Sequence, residues 1–527
     1  MEHTYDVVVI GGGAAGLAGA LTLARARRSV LVVDAGQPRN APAGHVHNYL
    51  GREGTPPGEL LAAGRAEVTG YGGHVASGRV VAAVRDGDGF DVTLDGGRTV
   101  RARRLLVATG LVDELPDVPG VAARWGRDVL HCPYCHGFEA RDRRVGVLAT
   151  GPFAVHQAQL WRQWTPHVVL LRHDGPDLSG DDAEQLAARE IPVVDGPVAE
   201  LVVADDTLTG VRLATGEVVD LDAVVVAPRF TARTDVLAGL GLEPVTVEVG
   251  GHVFGSQFAA DPTGATAVPG VWVAGNVGDA RAQVLTAAAS GLTAGAAVNA
   301  DLVAEETRAA VAEHRRRKAT MFTRDAWEER YRSRASVWSG RPNPQLVAEA
   351  TPLPPGRAMD VGCGEGADAV WLAERGWRVT AVDIATAALE RAAGHAAAAG
   401  RQVAARIDWT HADLRESPPT EGGYDLVSAQ FMHLPGDERR ALFARLADAV
   451  APGGTLLIVG HHPRDLRTTA RRMHFPEMMY TAEEVAAQLD LAGWQVTTVE
   501  ARPRAVTDPD GRDVTVHDAV LVARRRP

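Results

Sequence analysis

Residues 6–16 read Asp-Val-Val-Val-Ile-Gly-Gly-Gly-Ala-Ala-Gly, and this stretch decides the fold of the first part of the chain. Its apolar half is typical of a buried parallel strand, and its glycines predict a tight turn into a helix. The next strand, Ser29–Val33, ends at Asp34. Such a turn lets backbone approach a pyrophosphate, and an acid at the next strand end can accept ribose hydroxyls. The alternative is a glycine-rich packing turn. The predicted nucleotide-binding residues are Gly11, Gly13, Ala15, Gly16 and Asp34.

The chain has three cysteines, and two of them form the motif Cys132-Pro-Tyr-Cys135, followed directly by His136. A spacer of two residues lets the pair form a reducible disulfide or lowers the pKa of one thiol, which favours a redox-active pair. His136 can take a proton from an incoming thiol near neutral pH. Haem attachment uses a similar pattern, but we recognise no secretion signal. Zinc would need a second cysteine pair, so we expect no metal. Inert thiols remain the alternative.

A second strand–turn–helix unit starts near Arg143 and would normally carry its own glycine fingerprint. The turn at residues 149–154 reads Ala-Thr-Gly-Pro-Phe-Ala instead, so Pro152 and Phe153 crowd the approach of a pyrophosphate. The next strand end lacks paired basic residues and places Asp174 where a 2′-phosphate would bind. These departures predict that NADPH binds poorly or not at all. A diverged site that still works is the alternative.

In their order along the chain, these motifs resemble the flavin-binding half of low-molecular-weight thioredoxin reductases over about residues 5–300. The strand end at residues 108–110 and the segment Gly275-Asn-Val-Gly-Asp279 stand at the family's positions. The resemblance implies FAD as the cofactor. The family usually carries Asp where this chain has Asn276, which keeps a hydrogen-bonding group and removes a charge. The further flavin-site residues that the resemblance implies are Asn48, Thr109, Gly110, Asn276, Asp279 and Gln283.

The same resemblance assigns roles to the two cysteines, since in this family the second lies against the flavin and the first exchanges with the substrate. Cys135 would therefore contact the flavin, and Cys132 would form the mixed disulfide. His136 stands where thioredoxin reductases usually carry Asp. The segment at residues 132–139 resembles the thioredoxin-reductase-like dithiol oxidases that close the disulfide of natural products such as gliotoxin and dithiolopyrrolones. That resemblance implies a small-molecule dithiol as reductant of the pair, with FAD reoxidised by O2 to give H2O2.

A fingerprint of another kind lies at residues 358–366, Ala-Met-Asp-Val-Gly-Cys-Gly-Glu-Gly. It resembles motif I of class I methyltransferases that use S-adenosylmethionine (SAM), and the resemblance covers about residues 325–527. The alternative is a dinucleotide-binding unit, which the Gly-x-Gly-x-Gly pattern and a terminal pair of strands disfavour. We interpret Cys363 as a packing residue. The SAM-site residues that the resemblance implies are Asp360, Gly362, Gly364, Gly366, Asp383 (ribose), Asp413 and Leu414 (both adenine).

Methyl transfer by in-line displacement needs positioning more than acid–base chemistry, so a thiol acceptor would need only deprotonation. Candidate bases follow the fourth and fifth strands of the unit, where such sites form. Each of these histidines could equally be structural. Trp327, Tyr331 and Trp338 resemble the N-terminal lid of thiopurine- and tellurite-type methyltransferases; simple docking of a connector is the alternative. The candidate bases are His433, His461 and His462.

Composition narrows the class of protein. The formal net charge of −12 over 527 residues argues against a nucleic-acid partner. The apolar run Val7–Ala24 is long enough for a membrane span, but its glycines fit a strand, a turn and a helix better. We therefore expect a cytoplasmic protein without a membrane partner, where an isolated cysteine pair favours redox chemistry. Homodimerisation is expected from the flavin family alone.

The sequence thus predicts an α/β protein: a two-domain FAD/NAD(P)-type Rossmann-like disulfide oxidoreductase followed by a class I Rossmann-like methyltransferase. The predicted function is oxidation of small dithiols and S-methylation of thiols, in natural-product biosynthesis or self-protection. Rival hypotheses are an NADPH-dependent disulfide reductase that feeds thiols to the methyltransferase, a redox-gated binding protein, and methylation of oxygen or nitrogen. The predicted segments are 1–115 (FAD domain, first half), 116–245 (NAD(P)-like domain with the cysteine pair), 246–302 (FAD domain, second half), 303–345 (helical connector and lid) and 346–527 (methyltransferase).

Overall fold

The computed structural model describes residues 4–470 and 475–527. It consists of two compact units, with the boundary between Arg308 and Ala309. The strands of the first unit are β1 (Thr4–Ile10), β2 (Val30–Asp34), β3 (His74–Ser77), β4 (Val80–Asp86), β5 (Gly89–Leu94), β6 (Thr99–Val107), β7 (Leu111–Glu114), β8 (Val129–Leu130), β9 (Val145–Leu148), β10 (Val168–Leu171), β11 (Val193–Val194), β12 (Val198–Ala204), β13 (Thr207–Leu213), β14 (Val218–Asp220), β15 (Ala223–Val225), β16 (Arg229–Ala232), β17 (Pro244–Val249), β18 (His252–Phe258) and β19 (Val271–Val273). Its helices are α1 (Ala14–Arg25), α2 (Pro57–Gly70), α3 (Val121–Arg124), α4 (Pro133–His136), α5 (Ala154–Trp161), α6 (Gly180–Ala188), α7 (Asp235–Ala238), α8 (Val284–Thr320) and the 3-10 helix Gly275–Val277.

The main sheet of the first unit is built around β1. It runs in the order β3-β2-β1-β6-β5-β4, and β19 adds to β6. β1 pairs in parallel with β2 and β6. Val7 and Val9 pack in one core with α1, whereas Val8 and Ile10 pack in another with β5. Burial on both faces explains why the sequence of this strand is apolar without alternation.

The strand–turn–helix segment predicted to start near Arg143 lies in this first unit and belongs to a separate parallel sheet, β11-β10-β9-β15-β8. Cys132 directly precedes the short helix α4, and Cys135 lies within it. Two smaller sheets complete the first unit. One is the sheet β12-β13-β14, and the other, β17-β18-β16-β7, returns the chain to the first sheet.

Helices α1 and α8 pack backbone against backbone. A Cβ on Gly291 of α8 would lie 2.7 Å from the carbonyl carbon of Ala15, and one on Gly19 of α1 would lie 2.9 Å from the carbonyl oxygen of Gly291. Glycine permits this approach, because the carbonyl groups of Ala15 and Gly291 are main-chain atoms that cannot swing aside. The contact brings the start and the end of the first unit together.

The long helix α8 continues to Thr320, inside the segment 303–345 that the sequence predicts as a helical connector and lid. Ion pairs explain the extension. Arg104 donates to Asp301 at 2.6 Å, Arg103 to Glu305 at 2.7 Å and Arg28 to Glu306 at 2.6 Å. Glu305 and Glu306, which belong to the predicted connector, are therefore residues of α8 that bind arginines of the first unit.

The second unit is a single Rossmann-like sheet. Its order is β22-β21-β20-β23-β24-β26-β25, parallel through β24 and antiparallel for the last two strands. The predicted α/β fold class is confirmed in both units. The strands are β20 (Arg357–Val361), β21 (Arg378–Asp383), β22 (Ile407–His411), β23 (Tyr424–Gln430), β24 (Val450–His461), β25 (Trp494–Thr507) and β26 (Asp513–Arg525). The helices are α9 (Arg324–Arg332), α10 (Pro344–Ala350), α11 (Ala367–Glu374), α12 (Thr386–Ala399), α13 (Arg401–Ala404), α14 (Gly436–Asp448), α15 (Ala482–Ala486) and the 3-10 helices Pro463–Arg467 and Pro476–Met478.

In the described ranges, 4–470 and 475–527, no helix is both long enough and apolar enough to cross a membrane.

Replacing Gly291 with Ala tests the contact between α1 and α8. We expect Gly291→Ala to lower the free energy of unfolding by about 1–3 kcal/mol, because the added methyl group meets main chain on the opposite helix. Chemical denaturation followed by the flavin and tryptophan signals measures the loss. Gly58→Ala in α2 is the matched control: its Cβ meets nothing within 4 Å, so its stability should be unchanged or slightly higher. Equal stability of both variants would contradict the packing argument.

Candidate functional site

A cavity of about 510 Å³ opens at the carboxyl ends of β1 and β2 in the first unit. Its walls come from the glycine turn, the loop after β2, the cysteine pair and the start of α8. Gly16, Asn48 and Asp279 were predicted for this site but do not line it. The predicted residues that do line it are Gly11, Gly13, Ala15, Asp34, Thr109, Gly110, Cys132, Cys135, His136, Asn276 and Gln283.

The glycine turn fits a nucleotide. Gly11 has a φ of +110°, and a Cβ there would lie 2.8 Å from the carbonyl carbon of Ala108. A Cβ on Gly12 would collide with Asp34 at 2.6 Å, so the turn stays open beside that carboxylate. The Thr109 hydroxyl is buried and lacks a partner within the described residues, as expected of a group that a ligand completes. These residues fit the flavin nucleotide that the resemblance implies.

Three of the predicted flavin residues have other tasks. Gly16 permits packing inside the turn, since a Cβ there would lie 3.0 Å from the carbonyl carbon of Gly11. Asn48 has a φ of +60°, and its side-chain amide donates to the Tyr134 carbonyl at 2.7 Å, which anchors the cysteine turn. The Asp279 carboxylate accepts from the Arg281 backbone N–H at 3.0 Å. Gly16 thus serves the turn because it lacks a side chain, whereas the side chains of Asn48 and Asp279 support local structure around the cavity.

The two thiols share one hydrogen bond and differ strongly in acidity. Cys132 precedes α4, and Cys135 lies within it. Cys135 donates to the Cys132 sulfur at 2.9 Å. This hydrogen bond, with the nearby backbone N–H groups, lowers the pKa of Cys132 to about 7 although burial opposes it. The same hydrogen bond and burial raise the pKa of Cys135 well above its usual range. Gln283 Nε2 donates to Cys132 at 3.8 Å. These contacts favour the thiolate form at Cys132 over Cys135.

His136 lies beside this pair with a neutral ring. Burial lowers its pKa, although the charge of Glu139 opposes the shift. His47 lies against the same region, with Nδ1 at 2.6 Å from Glu53 and Nε2 at 3.5 Å from Glu139. A neutral imidazole next to the thiols can accept a proton at neutral pH, as the sequence predicted for His136.

Arg39 and His131 also line the cavity, although neither was predicted from the sequence. Arg39 follows β2 in a loop, and no motif spacing marks it. Its Nε and Nη2 donate to Asp113 at 2.9 and 2.6 Å. His131 directly precedes Cys132, a position that could have suggested it; burial lowers its pKa and its Nδ1 lies 3.0 Å from the Val226 carbonyl.

The second nucleotide turn keeps one glycine of the fingerprint, Gly151, followed by Pro152 and Phe153. Phe153 caps α5, and its ring centre lies 6.3 Å from that of His252. Arg172 at the end of β10 is engaged with Asp177 at 2.8 Å and Asp195 at 3.4 Å. Asp174 lies 3.3 Å from His173. The cation nearest the place for a 2′-phosphate is thus already paired with carboxylates.

In the second unit, the motif I turn follows β20 at the switch point between β21 and β23. Gly362, Gly364 and Gly366 have φ values of +67°, +53° and +82°. Asp383 accepts from the backbone N–H groups of Gly364 and Ala385, both at 2.9 Å. One carboxylate oxygen of Asp360 is buried with no partner among the residues that the structure describes, and burial raises the pKa of this group. The turn and the orphaned oxygen fit the polar end of SAM.

The aromatic residues of the predicted lid lie on this turn. Trp338 Nε1 donates to the Tyr331 hydroxyl at 2.9 Å, and a Cβ on Gly364 would lie 2.9 Å from Trp338 Nε1. Glu365, within the turn, accepts from the backbone N–H groups of Val337 and Trp338 at 3.2 and 3.0 Å. The segment is therefore fastened to motif I rather than loosely docked.

The residues predicted to contact adenine and the histidines predicted as bases are engaged in local contacts. Asp413 is paired with Arg415 at 2.7 Å, which lowers its pKa, and the Leu414 side chain is buried in the core. The rings of His433 and His461 stack at 4.5 Å, and His461 N–H donates to His433 Nε2 at 3.2 Å. His462 Nδ1 likewise accepts from a backbone N–H, that of Arg464 at 3.0 Å. The Nε2 atom of His433 and the Nδ1 atom of His462 are thus engaged as acceptors.

Comparison with known proteins gives one family match for each unit. Residues 5–291 match the pyridine nucleotide-disulphide oxidoreductase family, and residues 358–454 match a methyltransferase domain. Over 315 residues the chain is 32% identical to thioredoxin reductase tcpT of Claviceps purpurea, covering 58% of this chain and 96% of that protein. Thioredoxin reductase sirT of Leptosphaeria maculans is 31% identical, with 56% and 93% covered. The crystal structure of HlmI has a TM-score of 0.56 at 48% identity and covers 60% of this chain and 98% of that one. The first family match spans every residue that lines the cavity.

The difference in acidity between the two thiols can be measured directly. In the reduced protein at pH 7 we expect iodoacetamide to modify Cys132 well before Cys135, because thiolates react and thiols do not. The rate at Cys132 should rise with pH through about 7 and then level off, since its pKa is lowered to about 7. Mass-spectrometric peptide mapping resolves each site. Cys363, buried and with a raised pKa, is the internal control and should stay unmodified. Equal modification of Cys132 and Cys135 would contradict the assignment.

Proposed function

The chain belongs to the pyridine nucleotide-disulphide oxidoreductase family through residues 5–291 and carries a methyltransferase domain behind it, and from this premise we propose that it oxidises small-molecule dithiols to disulfides and methylates thiols. It is a thioredoxin-reductase-like dithiol/disulfide oxidoreductase joined to a methyltransferase. We further propose that the dithiol is the reductant, that O2 is the oxidant and that sulfur accepts the methyl group. The protein would act in natural-product biosynthesis or self-protection.

Thiol exchange at the cysteine pair proceeds in two displacements. A substrate thiolate attacks Cys132 in the Cys132–Cys135 disulfide; a mixed disulfide forms and Cys135 leaves. The second substrate thiolate then attacks the substrate sulfur bound to Cys132, which closes the substrate disulfide and releases Cys132. A low thiol pKa favours release, so the acidity of Cys132 speeds the second step. His136 takes the proton of an incoming thiol.

The cavity would hold the flavin through Gly11, Gly13, Asp34 and Thr109. A bound flavin supplies a two-electron acceptor that passes the electrons of the reduced pair to O2, which leaves as H2O2. The balance is one dithiol and one O2 to one disulfide and one H2O2.

One observation supports this direction of the reaction: the second nucleotide turn lacks the glycines of a working fingerprint. Phe153 and Pro152 stand where the backbone of a working fingerprint would face a pyrophosphate, and Arg172 is committed to Asp177 and Asp195. A reductase that draws electrons from NADPH needs that turn open and a cation beside it. Without NADPH, the dithiol is the remaining source of electrons for the cysteine pair.

Bound SAM supplies an electrophilic methyl group, and the second unit's residues position the acceptor. Asp360, Asp383 and the motif I glycines would hold the cofactor, with Trp338 and Tyr331 against the turn to exclude water. His461 would take the proton of the thiol. The new bond joins the acceptor sulfur to the methyl carbon as the carbon–sulfonium bond breaks in line.

The reductant of the flavin decides between oxidase and reductase. We expect aerobic incubation with a reduced dithiolopyrrolone to give one H2O2 per disulfide over many turnovers, while anaerobic NADPH leaves the flavin oxidised. Peroxide assay, chromatography and flavin absorbance report the three quantities. Rapid bleaching by NADPH with no peroxide from the dithiol would overturn the oxidase in favour of the reductase. A single turnover per protein would favour the redox-gated binding protein instead.

The two activities should be separable by substitution. With SAM and the reduced dithiol, we expect Cys132→Ser to abolish disulfide formation and retain S-methylation, and Asp383→Ala to show the reverse. His461→Ala should lower the methylation rate about 10²-fold or more at pH 7, with recovery at high pH as the thiol ionises by itself. Mass spectrometry distinguishes thioether from disulfide. Methylation of a hydroxyl or amine panel, with thiols left unchanged, would rule out the thiol acceptor.

A further inference from the structure

We propose that Arg39 and Asn276 form a positioning pair that stabilises the Cys132 thiolate and so sets the rate of thiol exchange. The inference rests on the proposed thiol oxidation and goes beyond it. The sequence motifs give Arg39 no role, and they imply for Asn276 only a place in the flavin site.

Arg39 is a fixed charge in the wall of the cavity. Its guanidinium binds Asp113 through Nε and Nη2, and Nη1 donates to Asn276 Oδ1 at 3.3 Å. Cζ lies 4.9 Å from the centre of the Phe230 ring. Three elements, β7, β16 and the 3-10 helix at Gly275–Val277, thus hold one side chain in one orientation. A guanidinium held this way needs no reorganisation to stabilise a nearby anion.

The thiols lie within reach of this charge. Arg39, Cys132 and Cys135 line the same cavity. The hydrogen bond from Cys135 is the main cause of the lowered pKa of Cys132, and the charge of Arg39 acts in the same direction. On Cys135 the charge of Arg39 opposes the rise in pKa that the hydrogen bond and burial cause. His131, whose pKa is lowered first by burial, is lowered further by Arg39 and raised by Asp113.

Asn276 connects Arg39 to the thiol through the segment after it. Its Nδ2 donates to the carbonyls of Asp279 at 3.2 Å and Ala282 at 2.8 Å. The next residue, Gln283, donates to Cys132. Hydrogen bonds therefore lead from the guanidinium through Asn276 to the segment that carries the donor to the thiolate.

The amide of Asn276 is specified by these contacts. An aspartate has two acceptor oxygens and no donor, so it would face both carbonyls with an acceptor and leave their hydrogen bonds unmade. It would also place a second carboxylate beside Arg39, where Asp113 already balances the charge. Both effects would weaken the stabilisation of Cys132, which gives a physical reason for asparagine where the resembling reductases carry aspartate.

Timed alkylation of the reduced, flavin-loaded protein tests the pair. We expect Arg39→Gln and Asn276→Asp each to slow iodoacetamide modification of Cys132 about tenfold at pH 7 and to move the midpoint of the pH profile upward, with an unchanged plateau at high pH. Arg39→Lys, which keeps the charge, should recover most of the rate. Arg144→Gln is the matched control, since Arg144 binds Asp222 through the same two nitrogens outside the cavity. Its profile should match the unaltered protein.

Each result has one reading. Unshifted midpoints in both Arg39→Gln and Asn276→Asp would overturn the positioning pair, as would a shift of the same size in Arg144→Gln. If Arg39→Gln fails to retain flavin, the midpoints of Asn276→Asp and Arg39→Lys decide alone. Failure of the proposed function is seen separately, as the absence of peroxide from a dithiol with the unaltered protein, and it leaves the alkylation profile as measured.

Discussion

The close contact between α1 and α8 is the constraint on which the oxidoreductase site depends. Gly19 and Gly291 lie about 270 positions apart, and the absence of side chains lets their helices touch through main chain. A Cβ on Gly275 would lie 2.8 Å from that of Ala15, so the 3-10 helix belongs to the same contact. The glycine turn is thereby placed against Asn276 and Gln283. Without this approach the cavity would lose one wall, and the donors to Cys132 would be displaced.

The two thiols in that cavity are chemically identical, but the pKa of Cys132 is lowered and that of Cys135 is raised. Their shared hydrogen bond lets only one ionise, and the surrounding donors determine which. Cys132 has Gln283 and backbone N–H groups on its side, whereas Cys135 lies within the first turn of α4 as the donor. A neutral His136 complements this arrangement, because a charged imidazole would already hold the proton that an incoming thiol must lose.

Sequence reasoning located the strands of both Rossmann units and the two nucleotide turns because apolar runs followed by glycines are local signals. It did not show that α8 continues into the predicted connector, since the ion pairs of Arg103 and Arg104 with Asp301 and Glu305 join segments about 200 residues apart. It missed Arg39 for the same reason: the groups that fix this side chain, Asp113 and Phe230, are far away along the chain. Asn48 and Leu414 were predicted from a family pattern, and in the structure the Asn48 amide donates to the Tyr134 carbonyl while the Leu414 side chain packs in the core.

The chemistry of the proposed substrate explains why two such units would share one chain. A disulfide has no thiolate to attack a methyl group, and a sulfur that has been methylated cannot enter a disulfide. Each unit therefore removes the substrate of the other, and a given dithiol has one of two fates. Under the proposed function, the first fate would consume O2 and the second SAM, so the supply of these two reagents would set the partition between them. Both products lack the pair of free thiols that chelates metals and exchanges with cellular disulfides, which makes the two reactions alternative routes to the same protection.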